Sequence, residues 1–287
     1  MTMTTENNSF LKMVHQHERD SNISFEEKTH TYTINTKQNK DDTSFTSVTT
    51  WVHSLFPQFN ATKIIDKMQK GKNWEKSKYY GMSSDEIKAL WKKNGHEASK
   101  AGTKLHNDIE FYYNQHEVDN SSVEFKYFLN FENDRVKDPT NDTMLPYRTE
   151  WTIYDEELRL SGSVDMLYEY KDSGLLTIYD WKRCKDIKKN NGWEHCNIDE
   201  LSYIPNTNYW HYALQLNTYR EIIERNYNKT IHSLWLVCLH PDKSGYQKIS
   251  VPIMKTEMNI LFQKRLEKFN LEIKTDKSLN IYEEIGI

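Results

Sequence analysis

Residues 162–183, GSVDMLYEYKDSGLLTIYDWKR, contain the pattern that decides the fold. Apolar side chains alternate with polar ones on both sides of Asp172–Ser173–Gly174, which is typical of two β-strands joined by a turn. Because side chains repeat every two residues along a strand, Asp180 and Lys182 point to the same face of the second strand. The segment therefore predicts a hairpin with a charged cluster near the end of that strand.

The turn decides which residue lies opposite Asp165 in the first strand. A two-residue loop at Asp172–Ser173 pairs Asp165 with Asp180, whereas a loop at Ser173–Gly174 pairs it with Lys182. Directly opposed Cβ atoms are about 5 Å apart, so either register gathers all three charges. Two facing carboxylates repel, and a hard divalent cation such as Mg²⁺ or Mn²⁺ suits an oxygen-rich site of this kind. The alternative is a salt-bridge cluster at the surface.

The chain alternates between two periodicities outside this hairpin. Strand-like alternation or short apolar runs occupy 147–154, 158–170, 175–182, 233–240 and 246–251. Helical spacing occupies 97–113, 122–136, 208–227 and a final stretch from 254. This order predicts an α/β fold in which a central mixed β-sheet is flanked by helices, preceded by a mostly helical N-terminal lobe.

The same patterns divide the chain into three parts. Residues 1–22 are polar and predict a disordered tail. Residues 23–97 predict a strand pair and the helical lobe, with 30–34 pairing back on 44–48. Residues 98–287 predict the core that contains the hairpin.

Composition excludes several classes of protein. The 287 residues include only 15 Gly and Pro, which excludes collagen-like and Pro/Gly-rich chains. The longest apolar run, Leu234–Leu239, is far too short to span a bilayer, and the first twenty residues lack the apolar centre of a signal peptide. Three cysteines favour a reducing compartment, so we expect a cytoplasmic or nuclear protein that does not associate with membranes.

Charge is segregated along the chain. Residues 61–104 contain eleven Lys and five acidic residues, a local charge of +6, whereas the whole chain carries −4. Aromatic residues are interleaved with these lysines, which is typical of surfaces that bind single-stranded nucleic acid. We therefore predict that Lys70, Lys72, Lys76 and Lys78 lie along a path for DNA. The alternative is an ordinary solvated helical face.

Further polar residues occur at helical or strand positions around the hairpin. His106 and Glu110 are four residues apart on one helix, as are Gln215 and Tyr219 on another, and Glu150 lies in the strand before the hairpin. A lone histidine on a helix is more often structural than a ligand. The ordered set GxxxHxxxE, E, GxxD, DxK and QxxxY nevertheless resembles the RecB-like exonuclease branch of the PD-(D/E)XK nuclease superfamily. Ser47–Thr50 (SVTT) is similar to a stretch in phage, viral and mitochondrial genome maintenance exonucleases of that branch.

The resemblance implies a restriction-endonuclease-like core and a role for each of these residues. The implied metal ligands are His106, Asp165, Asp180 and the main-chain carbonyl of Trp181. Lys182 would orient or deprotonate the attacking water, and Glu150 would be a second carboxylate near the metal or its water. Gln215 and Tyr219 would brace the site or contact the DNA backbone, and Glu110 would fix the helix that presents His106.

The resemblance implies a deoxyribonuclease that uses Mg²⁺ or Mn²⁺. We expect an exonuclease that hydrolyses phosphodiester bonds at DNA ends, with single-stranded ends preferred, in replication, repair or recombination. A phage or a large DNA virus is the expected source. The alternatives are an endonuclease of the same fold and a non-catalytic DNA-binding subunit. Some relatives hold an iron–sulfur cluster with four Cys. This chain has only three, so we expect no such cluster. A zinc site from Cys184, His195 and Cys196 does not match a known finger spacing.

Overall fold

A computed structural model describes residues 10–37, 39–136, 143–190 and 192–269. The helices in these ranges are α1 (Phe10–Val14), α2 (Val48–Ser54), α3 (Ala61–Gln69), α4 (Ser84–Tyr113), α5 (Val123–Phe131), α6 (Asn208–Asn226) and α7 (255–269). The strands are β1 (Ile23–Glu26), β2 (Thr31–Ile34), β3 (Thr46–Ser47), β4 (Met144–Asp155), β5 (Leu160–Tyr170), β6 (Leu176–Lys182), β7 (Ile231–Cys238) and β8 (Gln247–Val251).

The main sheet is mixed and is organised around β5. Strand β5 pairs antiparallel with β4 and β6, and its first two residues pair parallel with β3. Strand β6 is parallel to β7, which is antiparallel to β8. Parallel neighbours need a crossover connection, and α6 lies in the connection between β6 and β7. The predicted α/β fold with a mixed sheet flanked by helices is confirmed.

The sheet separates two apolar cores. The α6-side core contains Leu176 and Ile178 of β6, packed with residues of α2, α6 and α7. The α4-side core contains Tyr179 and Trp181, packed with residues of α4 and α5. Strand β6 is therefore covered on both faces, which explains why it is apolar along almost its whole length.

The hairpin of β5 and β6 has the first of the two predicted registers. Met166 pairs with Tyr179 and Glu169 with Leu176, and continuing this register places Asp165 opposite Asp180. The predicted two-residue loop is wrong, because Tyr170 N donates to Leu175 O and residues 171–174 form a longer turn. Gly174 has φ +67°, a left-handed conformation that glycine adopts without strain.

The predicted disordered tail is ordered from residue 10 onward, while residues 1–9 lie outside the described residues. Leu11 of α1 is buried in the α4-side core, and its N–H donates to Asn114 Oδ1 at 3.0 Å. In a 3₁₀ turn over Glu18–Asn22, Asp20 accepts hydrogen bonds from Arg148 Nη1 and Trp151 Nε1 of β4, both at 2.8 Å. Arg148 and Trp151 of β4 therefore hold this polar segment in place. The composition of the segment alone gives no sign of these distant partners.

The predicted boundary between lobe and core, at residues 97 and 98, falls inside α4. A capping box between Ser83 and Glu86 starts this helix, and it then continues for 30 residues through both glycines in its path. Helix α2 of the predicted lobe also packs in the α6-side core. The predicted lobe and the predicted core therefore share secondary-structure elements.

No helix among the described residues is long and apolar enough to cross a membrane. The last 18 residues of the predicted core lie outside the described part of the chain.

The predicted pairing of 30–34 with 44–48 is also wrong. Strand β2 pairs with β1, in a register that places Ile23 opposite Ile34. A single bridge joins Ile34 to Asp42, after which β3 pairs with β5. Phe45 is buried against Tyr154 of β4, and this contact directs the chain toward the main sheet.

The ion pair between Asp20 and Arg148 predicts a stability effect that depends on pH. Both side chains are at most 10% exposed, so Asp20→Asn leaves a buried guanidinium uncompensated and should lower the free energy of unfolding by about 3 kcal/mol at pH 7. Burial alone would raise the pKa of Asp20, but hydrogen bonds from Arg148, Trp151 and the His17 N–H outweigh it and lower the pKa below its ordinary 3.8. The stabilisation is therefore present above about pH 4 and is lost as the pH falls through the lower pKa of the folded protein.

Denaturant unfolding at pH 7 and pH 3 measures both effects. Asp41→Asn is the control, because Asp41 is exposed and has a left-handed φ that Asn accepts. We expect the control to change stability by less than about 0.5 kcal/mol. Equal effects of the two substitutions at pH 7 would contradict the assigned role of Asp20.

Candidate metal centre

Helix α4 brings His106 to the end of β6. Leu105 and Ile109 are buried in the α4-side core, so the helix lies against the sheet and His106 sits at the edge of this contact. His106 Nε2 is 2.9 Å from the carbonyl oxygen of Trp181. The imidazole and the main chain of β6 are therefore joined directly, and the metal-ligand roles of His106 and of the Trp181 carbonyl stay predictions.

The pairing of β4 with β5 is interrupted beside His106. Thr149 pairs with Met166 and Trp151 with Val164, but Glu150 and Asp165 between them do not pair. Glu150 has φ +42°, a left-handed conformation that costs a non-glycine residue on the order of 1 kcal/mol or more. Val164 and Met166 also lie in opposite cores, although they are two residues apart. Both strands thus leave regular geometry at the positions of the two carboxylates.

The two carboxylates meet the imidazole at this interruption. His106 Nδ1 is 3.6 Å from Glu150 Oε1 and 3.6 Å from Asp165 Oδ2. One ligand atom from each of the three residues lies within 4.8 Å of the other two. Asp165 also accepts a hydrogen bond from Trp181 N at 2.9 Å, and Ser163 Oγ donates to Glu150 Oε2 at 2.8 Å. The three groups are close enough to bind a single metal ion, and their mixed N and O donors suit a divalent cation.

Asp180 lies beside this cluster but is not part of it. Its side chain is 2% exposed, and Oδ2 is 2.7 Å from Lys182 Nζ. Oδ1 is equally buried and has no hydrogen-bond partner among the described residues. A buried carboxylate oxygen without a partner is costly and is a feature that a bound cation would satisfy. Of the predicted metal ligands, His106 and Asp165 lie in the cluster together with Glu150, and the ligand role of Asp180 stays a prediction.

Burial and neighbouring charges shift the pKa values of Asp165 and His106. Burial raises the pKa of Asp165 to about 7, with Asp180 and Glu150 adding to the rise and His106 and Lys182 opposing it. Burial disfavours protonation of His106, but Asp165 and Glu150 outweigh it and raise its pKa to about 9. In the absence of a metal, a proton on the imidazole therefore partly balances the carboxylates, as a cation would.

Helix α6 supports the cluster from the opposite core. Gln215 Nε2 donates to Tyr219 Oη at 3.2 Å, and the Tyr219 ring lies on Gly162, where an added Cβ would be 2.6 Å from Tyr219 Cε1. Gly162 therefore leaves room for the ring next to the strand that carries Asp165. Tyr219 is 3% exposed, which favours the predicted bracing role over contact with DNA. Glu110 lies one turn beyond His106, and its predicted role remains a prediction.

Sequence reasoning missed two residues near the cluster. Ser163 fixes one oxygen of Glu150, and a serine in a strand gives no signal for this role. Tyr32 of β2 is close enough that Glu150 and Asp165 add to burial in raising the pKa of its hydroxyl. Its strand lies more than a hundred residues before Glu150 and Asp165 in the sequence, so only the tertiary fold brings Tyr32 close to them.

Asp165→Asn tests whether the cluster binds metal. When Mn²⁺ is present at 100 times its Kd, the free energy of unfolding of the wild-type protein should rise by about 2.7 kcal/mol, and its Tm should rise by about 5 °C. The variant should lose this shift. In EDTA its Tm should equal or exceed that of the wild type, because the substitution removes a carboxylate that is buried beside Asp180 and Glu150.

Calorimetry or thermal denaturation with EDTA, Mn²⁺ and Mg²⁺ measures these shifts. Asp172→Asn is the control, because Asp172 lies exposed in the turn of the same hairpin and should keep the full metal response. A full Mn²⁺ shift in Asp165→Asn would exclude Asp165 as a ligand. Unfolding of the variant in EDTA would assign it a structural role instead.

Comparison with known proteins gives no independent assignment of this site. A scan against protein-family models finds no match, and a search of curated proteins finds no related sequence. A function for this chain therefore has to be inferred from the residues and geometry described above.

Proposed function

We propose that the protein is a divalent-metal-dependent deoxyribonuclease that acts at DNA ends. The observation that supports this most strongly is the cluster of His106, Glu150 and Asp165 next to the buried pair of Asp180 and Lys182. This combination of a metal-binding set, an additional carboxylate and a cation is what hydrolysis of a phosphodiester requires. It also agrees with the motif order that resembles the RecB-like exonucleases.

The residues would divide the work as follows. His106, Glu150 and Asp165 would hold the metal, and the unpartnered oxygen of Asp180 is available to it or to its bound water. A metal bound there would lower the pKa of water and stabilise the charge that develops on the phosphate. Trp181 N–H and Ser163 Oγ each fix one carboxylate, which limits the ways in which the ligands can move.

Lys182 is better suited to donate hydrogen bonds than to accept a proton. Burial alone would lower its pKa, but Asp180 and Asp165 outweigh burial and raise it above the ordinary value. Its side chain is 16% exposed, and Nζ lies 2.7 Å from Asp180 Oδ2 and 4.7 Å from the centre of the Tyr212 ring of α6. A lysine held protonated in this way would orient the attacking water and offset the charge of the scissile phosphate. Of the two predicted roles, orienting is therefore favoured over deprotonation.

Hydrolysis of defined DNA substrates tests the proposed activity. End-labelled linear and circular DNA, single- and double-stranded, is incubated with Mg²⁺, Mn²⁺ or EDTA. We expect metal-dependent release of nucleotides from linear DNA. Asp180→Asn and Lys182→Ala should each reduce turnover by at least about 10³-fold, or about 4 kcal/mol of barrier, while Asp172→Asn keeps it.

The other outcomes separate the alternatives. Cleavage of circular single strands would identify an endonuclease, and metal-dependent binding without cleavage would identify a non-catalytic subunit. Undiminished cleavage in EDTA would refute the metal assignment. Near-normal turnover of Asp180→Asn would refute the proposed site.

We propose that DNA follows the surface of the lysine-rich segment, residues 61–104. Lys70, Lys72, Lys76 and Lys78 are all exposed, and none forms an ion pair with another described residue. Trp91 packs against Phe59 and Tyr79, whereas Tyr80 is 57% exposed and contacts Trp74 edge to face. The lobe joins α4 near its first turn, where Ser84 donates to Gln69 of α3. Along α4, the distance from Ile87 to His106 is about 28 Å, which is a span of several nucleotides.

Replacing the four lysines by Gln tests this surface. On single-stranded DNA, each lost phosphate contact should reduce the slope of log K against log salt by about 0.7, so the slope should fall by about 3 and affinity should drop at least about tenfold at low salt. Titrations over a salt series measure both quantities. The control replaces four exposed lysines elsewhere, Lys12, Lys28, Lys40 and Lys171. Equal losses in both variants would mean that only net charge matters, and the path would lie elsewhere.

A further inference from the structure

Two cysteines lie in contact where β6 and β7 end. Cys184 Sγ is 3.8 Å from Cys238 Sγ. The parallel register pairs Lys182 with Cys238, and Leu239 N donates to Lys182 O at 2.8 Å. The main chains are therefore held side by side at this point, and the contact between the sulfur atoms follows from the pairing of the strands.

Ion pairs join the same two segments just beyond the strands. Lys185 Nζ is 2.9 Å from Asp242 Oδ2, and Lys243 Nζ is 3.1 Å from Asp186 Oδ1. Both pairs connect the residues after β6 with those after β7. Bringing the sulfur atoms from 3.8 Å to the bonding distance of about 2.05 Å therefore needs only a small adjustment of segments that are already adjacent.

The two thiols differ in exposure. Cys184 is partly exposed, whereas Cys238 is 2% exposed. The hydrogen bond to Cys238 and the charge of Lys182 lower the pKa of Cys184, against the effect of burial. A reagent in solution can therefore reach Cys184 but not Cys238. The only cysteine sulfur in contact with Cys238 among the described residues is that of Cys184. The third cysteine, Cys196, is buried in the α6-side core. In the part of the chain that the structure describes, Cys184, His195 and Cys196 do not form a group close enough to hold one metal ion.

We propose that Cys184 and Cys238 form a reversible dithiol–disulfide pair that is oxidised by a low-molecular-weight disulfide of the glutathione type. The Cys184 thiolate attacks one sulfur of the small disulfide, forming a mixed disulfide and releasing one small thiolate. The Cys238 thiolate then attacks Cys184 Sγ and releases the second. The two protein protons pass to the two released thiols, so the protein loses two hydrogens and the small disulfide is reduced. This proposal is independent of the proposed nuclease activity.

Mass spectrometry of the full-length protein tests the pair. Reduced protein is incubated with excess oxidised glutathione, and the intact mass and a non-reducing peptide map are recorded. Wild type and Cys196→Ser should each lose two hydrogens, show a Cys184–Cys238 cross-link, and return to the starting mass with dithiothreitol. Cys238→Ser should instead retain one glutathione on Cys184, and Cys184→Ser should remain unmodified.

The contrary results are equally distinct. A wild-type protein that stops at a glutathione adduct on Cys184, with Cys238 still open to alkylation after unfolding, would overturn the proposal. A cross-link that includes Cys196 would also overturn it. The wild-type peptide map decides the question without any substitution, so a variant that failed to fold would not affect the result.

Discussion

Strand β6 is covered on both faces, and this constraint determines most of what surrounds it. Its apolar side chains can pack into either core without cost, but Asp180 and Lys182 also lie within the covered region. A carboxylate buried alone would be protonated or would destabilise the fold. The structure places a lysine two residues along the same strand and a histidine on the neighbouring helix. The charged groups at this end of the sheet therefore depend on one another, and removing any one of them changes the environment of the rest.

Period-two patterning was sufficient to predict the hairpin and the shared face of Asp180 and Lys182, because alternation along a strand directly reflects which side is buried. It left two registers open, because the register depends on the length of the turn. The same rule could not predict how Glu150 reaches His106. Glu150 has a left-handed backbone, and the β4–β5 pairing opens at its position, so alternation fails locally. The resemblance to known nucleases suggested that Glu150 is near the metal, but the backbone irregularity that brings it there leaves no mark in hydrophobic periodicity.

The errors in the N-terminal third have a common physical cause. Residues 10–22 contain few apolar side chains, and composition therefore suggested disorder. The segment is instead held by a polar anchor, Asp20, whose partners Arg148 and Trp151 lie far along the chain. Similarly, the contact of Phe45 with Tyr154 decides where the segment around β3 pairs. Long-range contacts of single side chains outweigh local patterns here, and a single sequence contains no direct information about them.

Helix α4 begins beside α3 and carries His106 about six turns later. Because the helix is continuous, the direction of the imidazole depends on the number of residues before it. Each added residue in an α-helix rotates everything beyond it by about 100° around the axis. A single inserted residue between Ile87 and His106 would swing the imidazole away from the Trp181 carbonyl, whereas an insertion of whole turns would preserve its bearing. The number of residues between these two points is therefore fixed by helical phase as well as by length. Evolution can lengthen this part of the chain only in steps that return the ring to the same side.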